Sequence, residues 1–219
     1  MKNKYFTVDE QQLLEEVMRL RRDVRGNNFT QQDITAEVIE KILMAASLAP
    51  SVGFSQPWEF VVIREQATKQ RIAHSFAIEN KKSEKLFSDD KQQMYAQLKL
   101  EGILETPVNI AVFYKQSTKP VLGQTTMKEM GEYSVVCAIQ NMWLMSRALN
   151  VGLGWVSILD PEAVKKILHA PPQHKLVAYL CIGYVNEFLE QPELENLDWE
   201  KRKSIKSVVY RDRYPNEGQ

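Results

Sequence analysis

Three short runs concentrate the side chains able to hold or transform a ligand. In Arg21-Arg22-Asp23-Val24-Arg25, the arginines Arg21, Arg22 and Arg25 surround one carboxylate, Asp23. A guanidinium offers a planar fork of N–H donors that matches phosphate oxygens in pairs, so this run is a candidate phosphate cradle. Basic residues at a helix end also complement the negative pole of its macrodipole, and that plainer role competes for the same side chains. The second run, Pro50-Ser51-Val52-Gly53-Phe54-Ser55-Gln56-Pro57-Trp58, combines prolines that pin the backbone with a glycine, hydroxyls, an amide and an indole. That set suits a flat heteroaromatic ligand with a polar edge, and equally a rigid loop whose Trp58 plugs the core. The third, Gly152-Leu153-Gly154-Trp155-Val156-Ser157, sets glycines and a serine on a predicted strand, where glycine often marks the close approach of a ligand.

Other chemistries find less support. No Walker sequence or GxGxxG follows a strand, so a nucleotide would have to be held by other means. His74, His169 and His174 show no metal-ligand spacing with one another or with Cys137 and Cys181, and no metal site is expected. Both cysteines sit in apolar runs, SVVCAI and AYLCIG, and are read as buried, inert thiols. Lys plus Arg and Asp plus Glu each number 28, which leaves no global field to favour nucleic acid or an anionic membrane. The start, MKNKYFTVDEQQ, has no apolar signal core, and the apolar stretches are broken well before a bilayer would be spanned. A cytoplasmic protein acting on a small molecule is expected.

The elements that carry these runs follow from local pattern. Thr7 to Glu10 forms a capping-box signature ahead of Leu13, Leu14, Val17, Met18 and Leu20, a helix that delivers the arginine run at its C-terminal end. A second helix starts at Thr35 and ends before Pro50. Phe60 to Ile63, Val108 to Tyr114, Leu153 to Ile158 and Val177 to Val185 read as strands. The polar stretch at about 79–99 predicts helical pieces with a weak apolar face, which suits either a mobile lid or an ordinary solvated helix pair. From about Lys128 to Leu149 the pattern is helical and apolar nearly all round, which requires burial in a core or between subunits. Asp160-Pro161-Glu162 supplies an N-cap, a proline at the first helical position and an acid in the first turn. The tail at about 199–219 is basic and expected to be a solvated arm, one or two of whose charges could reach a phosphate. Alternating helices and strands with no linker indicate a single layered domain over 1–219.

The order of these runs resembles the FMN-dependent nitroreductase family: Arg-Arg-x-x-Arg, a helix, Pro-Ser-x-x-x-x-Gln-Pro-Trp, then a late Gly-x-Gly-Trp strand. The resemblance implies an α+β fold, a three-layer α/β/α sandwich around a central mixed sheet. It also implies a homodimer with FMN at the subunit interface, contacted by both chains. Carried over position by position, it assigns cofactor binding to Arg21, Arg22, Asp23, Val24, Arg25, Ser51, Gly53, Gln56 and Ser157. LKLEGI (Leu98 to Ile103), YSVVCAIQNMW (Tyr133 to Trp143) and Pro192-Glu193-Leu194-Glu195 are further similar to the branch of this family that destroys its flavin. That branch takes reduced FMN as substrate, adds O2 and releases 5,6-dimethylbenzimidazole, the lower ligand of cobalamin, with erythrose 4-phosphate. Phe54, where the wider family commonly has asparagine, and Asp23, where it has a serine or similar neutral residue, agree with that branch.

The implied catalytic residues are Asp23, a carboxylate suited to be a general base, and Ser157, a hydrogen-bonding partner for the flavin edge or its oxygen adduct. Neighbouring arginines weaken Asp23 as a base whereas burial against a flavin strengthens it, and the sequence leaves that balance open. It also leaves open whether NAD(P)H binds and whether a separate flavin reductase supplies the reduced FMN. The alternatives are an FMN-dependent NAD(P)H oxidoreductase acting on nitro or quinone compounds, and a flavin-binding protein without turnover.

Overall fold

The computed structural model describes residues 3–215. Thr7 opens the first helix, α1 (Val8–Leu20), with the expected capping box: its hydroxyl accepts from Glu10 N, and its own N–H donates to a Glu10 carboxylate oxygen at 2.9 Å. Thr35 caps α2 (Ala36–Ser47), which turns Ile39, Ile42, Ala45 and Ala46 inward. After the Pro50 to Pro57 loop come β1 (Trp58–Ile63), α3 (Gln66–Glu84), α4 (Asp89–Gln97), β2 (Val108–Tyr114) and α5 (Met130–Ala148). Then follow β3 (Gly152–Val156), α6 (Pro161–Ile167) and β4 (Lys175–Gly183). Asp160 caps α6 as its sequence predicts, accepting from Glu162 N at 2.9 Å with Pro161 in the first turn.

The strands form one sheet in the order β1-β2-β4-β3, so β1 and β3 are its edges. All three ladders are antiparallel; the mixed character expected from sequence is confined to one parallel bridge, Asp23 to Leu153. Every residue of β2 is buried, and its alternation divides two cores. Val108, Ile110, Val112 and Tyr114 face one cluster with residues of α2 and α5; Ala111 and Phe113 face another with Ile72 of α3 and Val164 of α6. Helices on both faces of a sheet give the three-layer α/β/α sandwich, with two apolar cores holding the edges in place.

Two sequence readings change here. Cys181 is buried as expected, whereas Cys137 is exposed. The helix α5 turns Val135, Ala138, Ile139 and Met142 onto the sheet, and leaves Tyr133, Val136 and Cys137 on the opposite face. An apolar run on a 3.6-residue period does not bury every member when only one side of the helix is covered.

The chain divides into two compact units, Met1–Phe188, which contains all the elements above, and Leu189–Gln219. The second contains α7 (Glu193–Asn196), a 3-10 turn at Ile205–Ser207 and a tilted ring pair, Tyr210 and Tyr214, with centroids 4.7 Å apart. Its basic residues Lys201, Arg202, Lys203, Lys206, Arg211 and Arg213 are exposed.

Candidate functional site

The arginine run leaves α1 in an extended conformation and lies along the outer side of β3. Asp23 forms the parallel bridge to Leu153, and Val24 N donates to Leu153 O at 3.1 Å. The approach is close because Gly154 lacks a side chain: a Cβ there would fall 2.1 Å from Val24 O. Gly154 therefore accommodates the chain's own Asp23 segment, where the sequence suggested a ligand. Val24 turns into the second core cluster.

Each charged member of the run has its own setting. Arg22 is buried and donates from Nη1 to Arg19 O at 2.8 Å and Arg21 O at 2.7 Å, capping the carbonyl end of α1. Arg21 places its guanidinium 4.6 Å from the centre of the Trp143 ring, and Trp143 Nε1 donates to Arg22 O at 3.0 Å. Arg25 forms an ion pair with Asp23 and donates from Nη1 to Leu100 O at 3.1 Å and Trp155 O at 3.2 Å. Trp155 N donates to the other carboxylate oxygen of Asp23 at 3.0 Å. Asp23 is thus held on both oxygens, with about a third of its side chain exposed (34%). Ser157 follows directly on β3, exposed, two residues beyond Trp155.

The loop before β1 has a different backbone. Gly53, Phe54 and Gln56 all adopt positive φ (55°, 53° and 46°), a conformation that L-residues other than glycine enter at a cost. Ser51 Oγ accepts from Gln56 N at 3.1 Å, and Val52 N donates to Ser134 Oγ at 3.0 Å. A Cβ on Gly53 would fall 2.7 Å from Leu122 O and 2.9 Å from Val121 Cγ1, so its bareness admits the Leu122 backbone and the Val121 side chain. Phe54 is 81% exposed, and Ser55 Oγ is buried without a hydrogen-bond partner. Trp58 packs on the first core, the plainer of the two roles its sequence allowed.

The predicted residues therefore fall into two groups. Asp23, Val24, Arg25 and Ser157 gather along β3, whereas Ser51, Gly53 and Gln56 precede β1, at the other edge of the sheet. With strands ~4.8 Å apart, roughly 14 Å of sheet separates the two edges. A groove of ≈ 750 Å³ runs between α3 and α6 and contains no residue of either group; one of ≈ 460 Å³ is lined by Gly53, Ser55, Gln56 and Pro57. Among the described residues no cluster of three or more His, Cys, Asp or Glu is placed to hold a metal ion, and no helix is long and apolar enough to cross a membrane. Sequence reasoning missed Trp143, Trp155 and Leu100 as partners of the arginine run. The LKLEGI motif was the only signal for Leu100, and nothing in it specified a contact with Arg25.

The layered fold, the Arg-Arg-x-x-Arg segment along an edge strand and the Pro-Ser loop at the opposite edge define a recognisable class. Residues 18–184 match the model of the nitroreductase family, and the chain belongs to that family. Within it, the chain is 44% identical over 192 residues to the 5,6-dimethylbenzimidazole synthase of Rhodospirillum rubrum, covering 87% of this chain and 90% of that enzyme. It is 37% identical to the enzyme of the same name from Rhodobacter capsulatus, covering 86% of this chain and 95% of the other. Its fold is similar to that of a crystal structure of iodotyrosine deiodinase bound to FMN and 3-iodo-L-tyrosine, with a TM-score of 0.73 at 19% identity, covering 92% of this chain and 100% of that one.

Proposed function

We propose that this protein uses O2 to fragment reduced FMN to 5,6-dimethylbenzimidazole, the lower ligand of cobalamin, and does so as a cytoplasmic homodimer. The observation that carries the proposal is the 44% identity to a 5,6-dimethylbenzimidazole synthase over 87% of the chain. The side chains present fit FMN: guanidinium groups for a phosphate, a carboxylate and a hydroxyl for a ring edge, and a buried hydroxyl at Ser55 still lacking a partner. Reduced FMN supplies the electrons for O2 and is itself the ring that is broken.

The residues of the chain divide the remaining work. Asp23 is the proton acceptor. Its ion pair with Arg25 and the N–H of Trp155 fix its orientation, so it presents its carboxylate in one geometry. Ser157 has no histidine or lysine beside it in sequence to activate it, and donates a hydrogen bond at the flavin edge. Arg21, with Arg25, supplies the cationic side of the phosphate site, Arg22 holds the end of α1 from which they extend, and Ser51, Gly53 and Gln56 supply the polar loop at the ring. The end of α3 and α4, tied together by Tyr95 OH on Asn80 Oδ1 at 2.7 Å and by the stacked rings of Phe87 and Tyr95, form a cover that keeps water from the reacting centre.

A second copy completes this site. Leu13, Leu14 and Met18 of α1, Met44 of α2 with Leu48 just after it, and Tyr133 and Val136 of α5 are exposed apolar side chains. Between α1, α2 and α5 lies an apolar groove of ≈ 380 Å³ lined by Leu13, Leu14, Val17, Leu48, Leu144 and Met145. Exposed apolar surface on this scale marks an interaction site. An isologous pairing brings the Pro-Ser loop of one protomer to the Asp23 segment of the other, which one chain holds at opposite edges. A separate flavin reductase supplies the reduced FMN.

The experiment is to mix the purified protein with reduced FMN, admit air and look for 5,6-dimethylbenzimidazole by mass spectrometry. Steady NAD(P)H oxidation with flavin retained would instead identify a reductase of nitro or quinone compounds. FMN binding without turnover in either assay would identify a non-catalytic flavoprotein.

A further inference from the structure

The run Leu98 to Ile103 follows directly on α4 and is built around charge. Lys99 Nζ lies 2.8 Å from Glu101 Oε1 and 2.8 Å from Glu105 Oε1. The other Glu101 oxygen accepts from Ile103 N at 2.6 Å. The loop is thereby drawn into a closed turn whose successive carbonyls face the Asp23 segment. Leu100 O accepts from Arg25 Nη1 at 3.1 Å, and Glu101 O accepts from Gly26 N at 2.7 Å. The fit is tight: a Cβ on Gly26 would fall 2.7 Å from Lys99 Cε and 2.9 Å from both Glu101 O and Glu105 Cδ. The far end of the turn is fixed from below. Asn109 Nδ2 donates to Ile103 O at 3.0 Å and to Tyr179 OH at 2.9 Å, and Lys69 Nζ donates to Thr106 O at 2.8 Å.

We infer that Lys99, with Glu101 and Glu105, is a positioning brace: it sets the turn that holds Arg25, and through Arg25 it fixes the carboxylate of Asp23. The inference rests on the proposed role of Asp23. Arg25 reaches Asp23, Leu100 O and Trp155 O at once, so a shift of Leu100 changes the geometry of the ion pair. Burial opposes the charge on Lys99, but its hydrogen bonds and attraction to Glu101 and Glu105 outweigh that and push the ammonium above its ordinary range. Glu105 Oε2 is buried with no hydrogen-bond partner, so removing the ammonium leaves two like charges together and opens the turn. Lys99 is also the second residue after α4 ends, which makes the brace the point where movement of the cover reaches Asp23.

The test compares Lys99→Met, which keeps length without charge, with Lys99→Arg and with Lys175→Met, which removes an ion pair to Glu132 elsewhere. Hydrogen exchange is read at the amides of Gly26 and Trp155, which donate to Glu101 O and Asp23 Oδ1. Lys99→Met is expected to speed both by about tenfold or more, Lys99→Arg to restore them and Lys175→Met to leave them unchanged. With reduced FMN and air, Lys99→Met lowers dimethylbenzimidazole formation by about tenfold, and adds little to the loss in Arg25→Lys because the two act in series. If Lys99→Met folds poorly, Glu105→Gln, which weakens the same brace, moves the same amides in the same direction. Unchanged exchange at Gly26 and Trp155, or losses in the two variants that simply add, would overturn the brace. Failure of the flavin reading is distinguishable, since the parent protein would then form no dimethylbenzimidazole while the exchange rates still respond to Lys99.

Discussion

Asp23 is held on one oxygen by a guanidinium and on the other by a backbone N–H, so changing its charge without changing its shape isolates its chemistry. Asp23→Asn keeps hydrogen-bonding capacity but loses the base. Dimethylbenzimidazole formation is expected to fall by ~10²–10⁴-fold while reduced FMN still binds and O2 is still consumed to peroxide. Product formed at near the parent rate would remove Asp23 from the chemistry. Ser157→Ala instead alters the course of the oxygen reaction and leaves the base in place. The neighbouring arginines separate by their partners. Arg22 is buried on the carbonyls that end α1, so Arg22→Ala should lower unfolding stability by about 1.5–3 kcal/mol in a denaturant titration. Arg21, whose guanidinium lies over the Trp143 ring, is the proposed phosphate contact of the run. Arg21→Ala should raise the FMN dissociation constant by roughly tenfold or more and that of riboflavin far less, as the loss of one charge-assisted contact implies. Equal effects on both ligands would show that this guanidinium does not meet phosphate.

Among the elements, β3 determines where Asp23 sits. Gly154→Ala would push a Cβ into Val24 O, a backbone atom that a rotamer change cannot move, so the Asp23 segment must lift from the strand. A loss of about 1–3 kcal/mol in stability is expected, as for other overpacked sites, together with loss of product; calorimetry and the FMN assay read the two effects separately. This is also where the sequence was least legible. Capping at Thr7 and Asp160, the strand Val108 to Tyr114 and the apolar face of α5 are local patterns, and each could be read from a few neighbouring residues. The partners of Asp23 and Arg25 lie 132 and 130 positions away on Trp155, and no spacing rule connects them. A glycine inside a strand signals close approach without saying of what, and at Gly154 and Gly53 the visitor is the chain itself. The family resemblance supplied the site residues; it could not supply the edge of the sheet to which each belongs.

At the scale of the whole molecule, the second copy of the proposed homodimer would cover the apolar side of α1, α2 and α5 and join the two sheet edges between which the candidate site residues divide. The two thiols report on that pairing. Cys181 is completely buried, and burial pushes its thiol far above the ordinary range, so it should resist maleimide until the chain unfolds. Cys137 lies with Val136 on the outward face of α5. In the homodimer it is covered, and its labelling should be slow at micromolar protein and accelerate on dilution below the dimer dissociation constant. Concentration-independent labelling, with a monomer by light scattering, would contradict the shared site. The most direct measurement is a mass balance on the flavin. Parent protein is mixed anaerobically with reduced FMN, air is admitted, and FMN and dimethylbenzimidazole are quantified together by mass spectrometry. One dimethylbenzimidazole is expected for each FMN lost, whereas recovery of all the FMN intact, with only peroxide formed, would contradict fragmentation.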